Sequence, residues 1–152
     1  MNKIDTDNLY YALVGHKYRI MTSREITGGS FTLIEGLIPP EDPGPPPHTH
    51  TRENESFYII EGGFTFVIES EERVVTTGDF VYGPRGVKHT FRNNSRNTGK
   101  VMIVVQPSGF EDFLKEAGEP LDAGSEFPLP MTSEHMEKVL KTAPKYGIII
   151  HV

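Results

Sequence analysis

From residue 16 to residue 106 the chain is a succession of short runs rich in Val, Ile, Phe, Tyr and Thr, broken by glycine and proline. That punctuation belongs to antiparallel β structure, in which each strand ends at a tight turn. The runs place strands at about 16–22, 29–38, 46–51, 55–61, 64–69, 72–77, 79–84, 88–92 and 99–106. Several alternate with a period of two: Phe64, Phe66 and Ile68 share one face, Thr65 and Val67 the other. Many short strands with close turns imply an all-β fold, a small β-barrel or jelly roll, because curling the sheet removes exposed edges.

Past residue 106 the period changes. Phe110, Phe113, Leu114 and Ala117 recur at helical spacing, with Ser108 and Glu111 placed as a capping box and Gly118 as a stop. Met136, Val139, Leu140 and Ala143 mark a second helix that begins near Thr132 or Ser133 and ends before Pro144. Residues 118–131 read as a loop, and the final YGIIIHV as a strand or packed tail. At 152 residues the chain fits one domain, 1–152, with a barrel core at about 15–107 and two short C-terminal helices in an appendage at about 108–152.

Lys and Arg number 15 against 21 Asp and Glu, and the basic residues are scattered, so neither nucleic acid nor an anionic membrane is an expected partner. There is no cysteine, hence no disulfide framework or redox thiol, which fits a reducing compartment. The N-terminal stretch MNKIDTDNLYYALVGHKYRI is interrupted by charges and lacks the apolar run of a signal peptide or membrane helix. A cytoplasmic protein is expected.

Four residues stand apart. His48 and His50, two apart on a strand, point to the same side. Glu55 heads the next apolar run and shares a face with Phe57 and Ile59, and His89 follows the turn PRGVK to open a strand toward Phe91. A carboxylate turned inward is costly to bury unless it is paired or metal-bound. Imidazole nitrogen and carboxylate oxygen are the donors a borderline divalent transition metal prefers, and without thiols the commonest competing site is absent. His48, His50, Glu55 and His89 are therefore the expected ligands of one divalent transition metal ion; Fe, Mn, Ni, Co, Cu and Zn all accept this set. Glu53 is the rival carboxylate, but it lies in the polar turn TREN, where a solvated role suffices. His16, His135 and His151 have no partners at ligand spacing and read as surface or packing residues. The prolines at 43–47 deliver His48 on a stiff, extended backbone.

The residues Gly44, His48, His50, Glu55 and Gly62, followed by Gly78, Pro84, Gly86, His89 and Asn93, resemble the two signature motifs of the cupin superfamily. The second motif matches at every signature position. In the first, the spacing from His48 to Gly62 matches, while Gly44 sits two residues nearer the histidine than the usual pattern. A wider resemblance, from about residue 15 to residue 150, is to single-domain cupins related to quercetin 2,3-dioxygenase; it rests on ITGGSFTLIE, PPHTHTRENESFYIIEGGFTF, PRGVKHTFRN, QPSGFEDFLKEAG and KYGI.

The resemblance implies a jelly-roll barrel with His48, His50, Glu55 and His89 as metal ligands in its mouth. It further implies a metal-dependent dioxygenase for a small-molecule substrate with an enolisable or phenolic group, flavonols being the suggested class. Glu55 would then be both ligand and catalytic proton acceptor. Phe57, Phe66, Phe91 and Met102 are candidates for the wall around a substrate, with packing in the core as the first reading of each. Metal-dependent isomerase, decarboxylase or hydrolase chemistry stays open, as does a non-catalytic cupin that only binds a small molecule. A homodimer through strand edges near the N-terminus is expected from barrel geometry and from the family.

Overall fold

The structure, a computed structural model, describes residues 9–127 and 130–151. Residues 1–8 of the N-terminal stretch considered above lie outside the described residues. In chain order the strands are β1 (Tyr10–Leu13), β2 (His16–Thr22), β3 (Thr32–Ile38), β4 (His48–His50), β5 (Asn54–Glu61) and β6 (Gly63–Ile68). They continue with β7 (Glu71–Thr76), β8 (Phe80–Gly83), β9 (His89–Arg92), β10 (Gly99–Gln106), β11 (Glu119–Leu121) and β12 (Ile148–Ile150). One sheet has the order β11-β1-β2-β3-β10-β5-β8, the other β12-β4-β9-β6-β7, and every pairing is antiparallel. This is the jelly-roll barrel that the strand pattern implies.

Alternation decides what faces inward. On β10 Val101, Ile103 and Val105 are buried, while on β5 and β6 Phe57, Ile59, Phe64 and Phe66 are buried. Each such side chain contributes about 1.5–3 kcal/mol of transfer free energy, which offsets the cost of ordering the strands. Phe57, Phe66 and Phe91 form one aromatic cluster, with ring centroids 4.9–5.9 Å apart. Met102 faces the other way, because it lies between the inward Val101 and Ile103.

Every strand expected between residues 16 and 106 is present, with ends moved by a few residues. Two strands were missed, and they pair with each other: Tyr10 faces Leu121 and Ala12 faces Glu119. The loop expected over 118–131 therefore begins as an edge strand, where Pro120 is tolerated because a sheet edge has a side that needs no donor. A single helical turn, α1 (Arg24–Thr27), also went unforeseen.

The two expected helices are α2 (Phe110–Ala117) and α3 (Ser133–Thr142), and a short 3-10 turn, Ala143–Tyr146, follows α3. The capping box does not form. Gly109 occupies the cap, Ser108 Oγ donates instead to the Phe31 carbonyl at 2.7 Å, and Glu111 accepts from the backbone amides of Gly109 and Arg24. Helix α2 ends at Gly118 as expected, and Thr132 caps α3 by accepting from the His135 amide. No helix among the described residues is long and apolar enough to cross a membrane.

The C-terminal part is woven into the barrel rather than hung from it. Strand β11 extends the seven-stranded sheet beside β1, and β12 extends the five-stranded sheet beside β4.

Candidate metal centre

The loop before β4 is built to aim it. Asp42 Oδ1 accepts from the Gly44 amide at 2.8 Å, and the Asp42 carbonyl accepts from the Asn93 amide at 3.0 Å. Gly44 has φ +82°, and a Cβ there would lie 1.5 Å from the Phe91 carbonyl oxygen, so only glycine lets the loop press this closely on β9. The displaced motif glycine therefore serves the approach loop and leaves the ligand strand untouched. Beyond the prolines, β4 lies between β9, with His48 opposite His89, and β12, with Ile148 opposite His50. The amide of Gly86 donates to the His50 carbonyl at 2.9 Å and ties the second motif's turn to the first motif's strand. Glu55 comes from the opposing sheet, opposite Gly83 on β8 and Val105 on β10.

All four expected residues converge. One donor atom from each of His48, His50, Glu55 and His89 lies within 4.8 Å of the others. Glu55 Oε2 is 3.0 Å from His50 Nε2 and 2.8 Å from His89 Nε2. Behind the cluster, His48 Nδ1 meets the Pro46 carbonyl at 2.9 Å and His89 Nδ1 meets the Val87 carbonyl at 3.2 Å. A carbonyl only accepts, so both Nδ1 atoms donate, and the neutral ring then presents a bare Nε2 to the centre.

That assignment sets acceptor against acceptor. His89 Nε2 and Glu55 Oε2 both carry lone pairs, 2.8 Å apart, in a buried site. A proton or a cation between them relieves the conflict. The protein's own charges favour protonating His50: burial works against it, but the Glu55 and Glu53 carboxylates raise its pKa to about 10. Burial likewise opposes the ionised form of Glu55, yet His50 and His89 hold its carboxyl well below the usual range. His48 is left uncharged, pushed down to about 3 by burial and by the neighbouring His89 and His50. A proton thus serves only part of the cluster, whereas a divalent cation engages all four donors. The cluster suits a metal ion.

Glu53 corrects the sequence expectation of a solvated turn residue. It is buried, and its Oε2 lies 3.4 Å from His50 Nδ1, the one histidine of the cluster whose Nδ1 has no carbonyl partner. Its spacing of three from His50 carried the signal, because a tight turn after β4 folds Glu53 back behind that ring. The other histidines pack as expected: His16 is buried between Tyr18 and Asp42, His135 Nε2 accepts from the Val14 amide, and His151 meets Thr49 Oγ1.

A cavity of about 60 Å³ adjoins His48, His50 and Glu55. Tyr18, Phe91 and Ile103 wall it from the barrel, and Phe110, Phe113, Val139 and Ile148 close it from the C-terminal side. Of the four wall candidates only Phe91 borders this space; Phe57 and Phe66 belong to the core beneath, the first reading of each.

Residues 35–105 match the family model described as a cupin domain. The chain is 29% identical over 124 residues to a quercetin 2,3-dioxygenase of Bacillus subtilis (strain 168), covering 82% of this chain and 36% of that protein. It is 34% identical over 107 residues to a quercetin 2,3-dioxygenase of Aspergillus japonicus, covering 66% of this chain and 30% of that protein. The chain thus spans about a third of the length of these curated relatives. Among solved structures, a protein from Thermotoga maritima described as a predicted oxalate decarboxylase superposes with a TM-score of 0.61 at 17% identity, over 70% of this chain and 99% of that one, a likeness of fold alone. With the barrel and both motifs in place, the match to the cupin domain spans residues 35–105, the stretch that holds all four clustered residues.

Proposed function

We propose that this is a metal-dependent cupin in which His48, His50, Glu55 and His89 hold one divalent transition metal ion. Its proposed activity is oxygenation of a small molecule bearing an acidic enol or phenol hydroxyl, with flavonols as the class suggested by relatives named quercetin 2,3-dioxygenase. The observation that carries the reading is the buried contact of the His89 and His50 Nε2 atoms with one Glu55 carboxylate oxygen, at 2.8 and 3.0 Å, in a cluster where the Nδ1 atoms of His48 and His89 are already committed to backbone carbonyls. When bound, a divalent ion supplies Lewis acidity and coordination positions open to exogenous ligands.

The chain's own residues do the rest. Glu55, kept ionised at neutral pH, accepts the proton of a ligand hydroxyl brought beside it. The Pro46 and Val87 carbonyls fix the direction in which His48 and His89 present Nε2. Phe91, Ile103, Phe110 and Phe113 exclude water from the space where the ligand reacts. Residues 1–152 act in this reading as one cupin domain, in a cytoplasmic homodimer joined along strand edges; light scattering on the purified protein tests the dimer.

The size of the cavity favours a second reading. About 60 Å³ is narrow for a flavonol, so the cavity favours a smaller ligand. A smaller substrate at the same centre points to metal-dependent isomerase, decarboxylase or hydrolase chemistry. Oxygen uptake by metal-analysed protein against a flavonol panel separates the two: dioxygen consumed in step with flavonol supports oxygenation, and no uptake with about one metal per chain moves the assignment to the second reading.

A further inference from the structure

A line of three polar side chains runs from the loop before β4 to the cavity wall. Asp42 Oδ1 lies 2.8 Å from His16 Nε2, and His16 Nδ1 lies 3.0 Å from Tyr18 Oη. His16 is fully buried, Tyr18 is 5% exposed, and Tyr18 borders the same cavity as His48, His50 and Glu55. The Asp42 side chain at the outer end is 15% exposed. The ring of Tyr18 has a prepared seat: its cross-strand partner is Gly36, and a Cβ at that position would lie 3.0 Å from Tyr18 Cε1. None of these residues belongs to the two motif constellations.

The direction of the hydrogen bonds follows from Asp42. Burial raises its pKa, but His16 and the Gly44 amide outweigh that and hold it below the usual range. An ionised carboxylate only accepts, so His16 Nε2 donates to it, and in the neutral ring Nδ1 then keeps its lone pair. Tyr18 Oη therefore donates to His16 Nδ1, and the lone pairs of Oη remain available to a ligand.

We propose that Tyr18, His16 and Asp42 form a proton relay serving the cavity, a second acceptor beside Glu55, whose Oε2 already faces two imidazoles. This rests on the proposed function in one respect, that the cavity takes a ligand with an acidic hydroxyl. The ligand O–H bond breaks as Tyr18 Oη takes the proton. The proton already on Oη moves to His16 Nδ1, and the imidazolium so formed is paired with the Asp42 carboxylate. The ligand gains one negative charge and His16 one positive charge, and the reverse sequence returns the proton.

The test uses the full chain loaded with metal, under argon, mixed rapidly with 4-nitrocatechol, whose ionised form absorbs at longer wavelength. Tyr18→Phe leaves the ring over Gly36 and removes only Oη. The variant is expected to keep wild-type metal content while ionisation of the probe slows about a hundredfold, the low end of general acid–base effects. His16→Gln is expected to slow it similarly, and nitrogen NMR of the wild type is expected to show His16 protonated at Nε2 and bare at Nδ1. Wild-type ionisation rates in Tyr18→Phe, or a proton on His16 Nδ1 at neutral pH, overturn the relay. Tyr18-dependent ionisation of nitrocatechol by a protein that leaves flavonols untouched supports the relay and refutes only the flavonol assignment.

Discussion

Replacing Glu53 should weaken the metal centre without weakening the fold. The residue is 6% exposed, and its Oε2 stands 3.4 Å from His50 Nδ1, too far for a good hydrogen bond. Losing a partner that orients a metal-binding imidazole typically lowers affinity 10–100-fold, and the long contact puts Glu53 at the lower end, about tenfold or ~1.4 kcal/mol. The effect on the metal-free fold has the opposite sign. Glu53 Oε2 is buried with no hydrogen-bond partner among the described residues, a situation that costs about 1–3 kcal/mol. Glu53→Leu, similar in bulk, should therefore bind metal about tenfold more weakly, yet melt no lower than wild type after chelator treatment. Glu53→Gln, which keeps an acceptor but loses the charge, should fall between them in affinity. Competition titrations against a chromogenic chelator, with thermal melts of the stripped proteins, measure both quantities. Wild-type affinity in Glu53→Leu refutes the reasoning, and so does a loss of affinity that only tracks a loss of metal-free stability.

Four further outcomes are expected. His50→Ala and His89→Ala should each carry well under half the wild-type metal by elemental analysis, and Glu55→Gln should depress turnover more than ligand affinity in steady-state and equilibrium-binding measurements. Gly44→Ala should lose at least about 3 kcal/mol in urea unfolding, because the left-handed backbone alone costs about 1–2 kcal/mol and the new Cβ would collide with backbone at Phe91. Asp42 has a depressed pKa, so its contribution is present above the unfolded value of about 3.9 and disappears as pH falls through the lower folded value; Asp42→Asn should lower stability at neutral pH and flatten the acid limb of a stability-versus-pH curve.

Which features of this molecule sequence patterns reveal follows from the range of the forces involved. Period-two alternation marks strands such as β6 and β10 because one face of each is buried. Strand β11 leaves no such mark: three residues are too few for a period, and it is a strand only because β1, about a hundred residues away, satisfies its backbone. The four expected ligands are visible because two sit two apart on one strand and two head their own strands. Glu53 is hidden by its polar neighbours, since a turn composed of TREN reads as solvated until the fold shows His50 behind it. Ser108 and Glu111 match a cap by spacing, but tertiary partners at Phe31 and Arg24 claim their side chains. Tyr18, His16 and Asp42 are invisible as a unit because nothing local joins β2 to the loop after β3.

The pairing of β12 with β4 bears on how the molecule is made. Strand β4 has three residues, touches β9 through the single pair His48–His89, and has its other edge completed by Ile148, Ile149 and Ile150. During synthesis the segment bearing His48 and His50 emerges about a hundred residues before the one that flanks it, so that edge stays unpaired while the residues between them are made. A metal ion held at the proposed centre would then gain its full support only once Ile148–Ile150 have docked on β4, and removing those three residues would loosen the centre from the side that carries none of its proposed ligands.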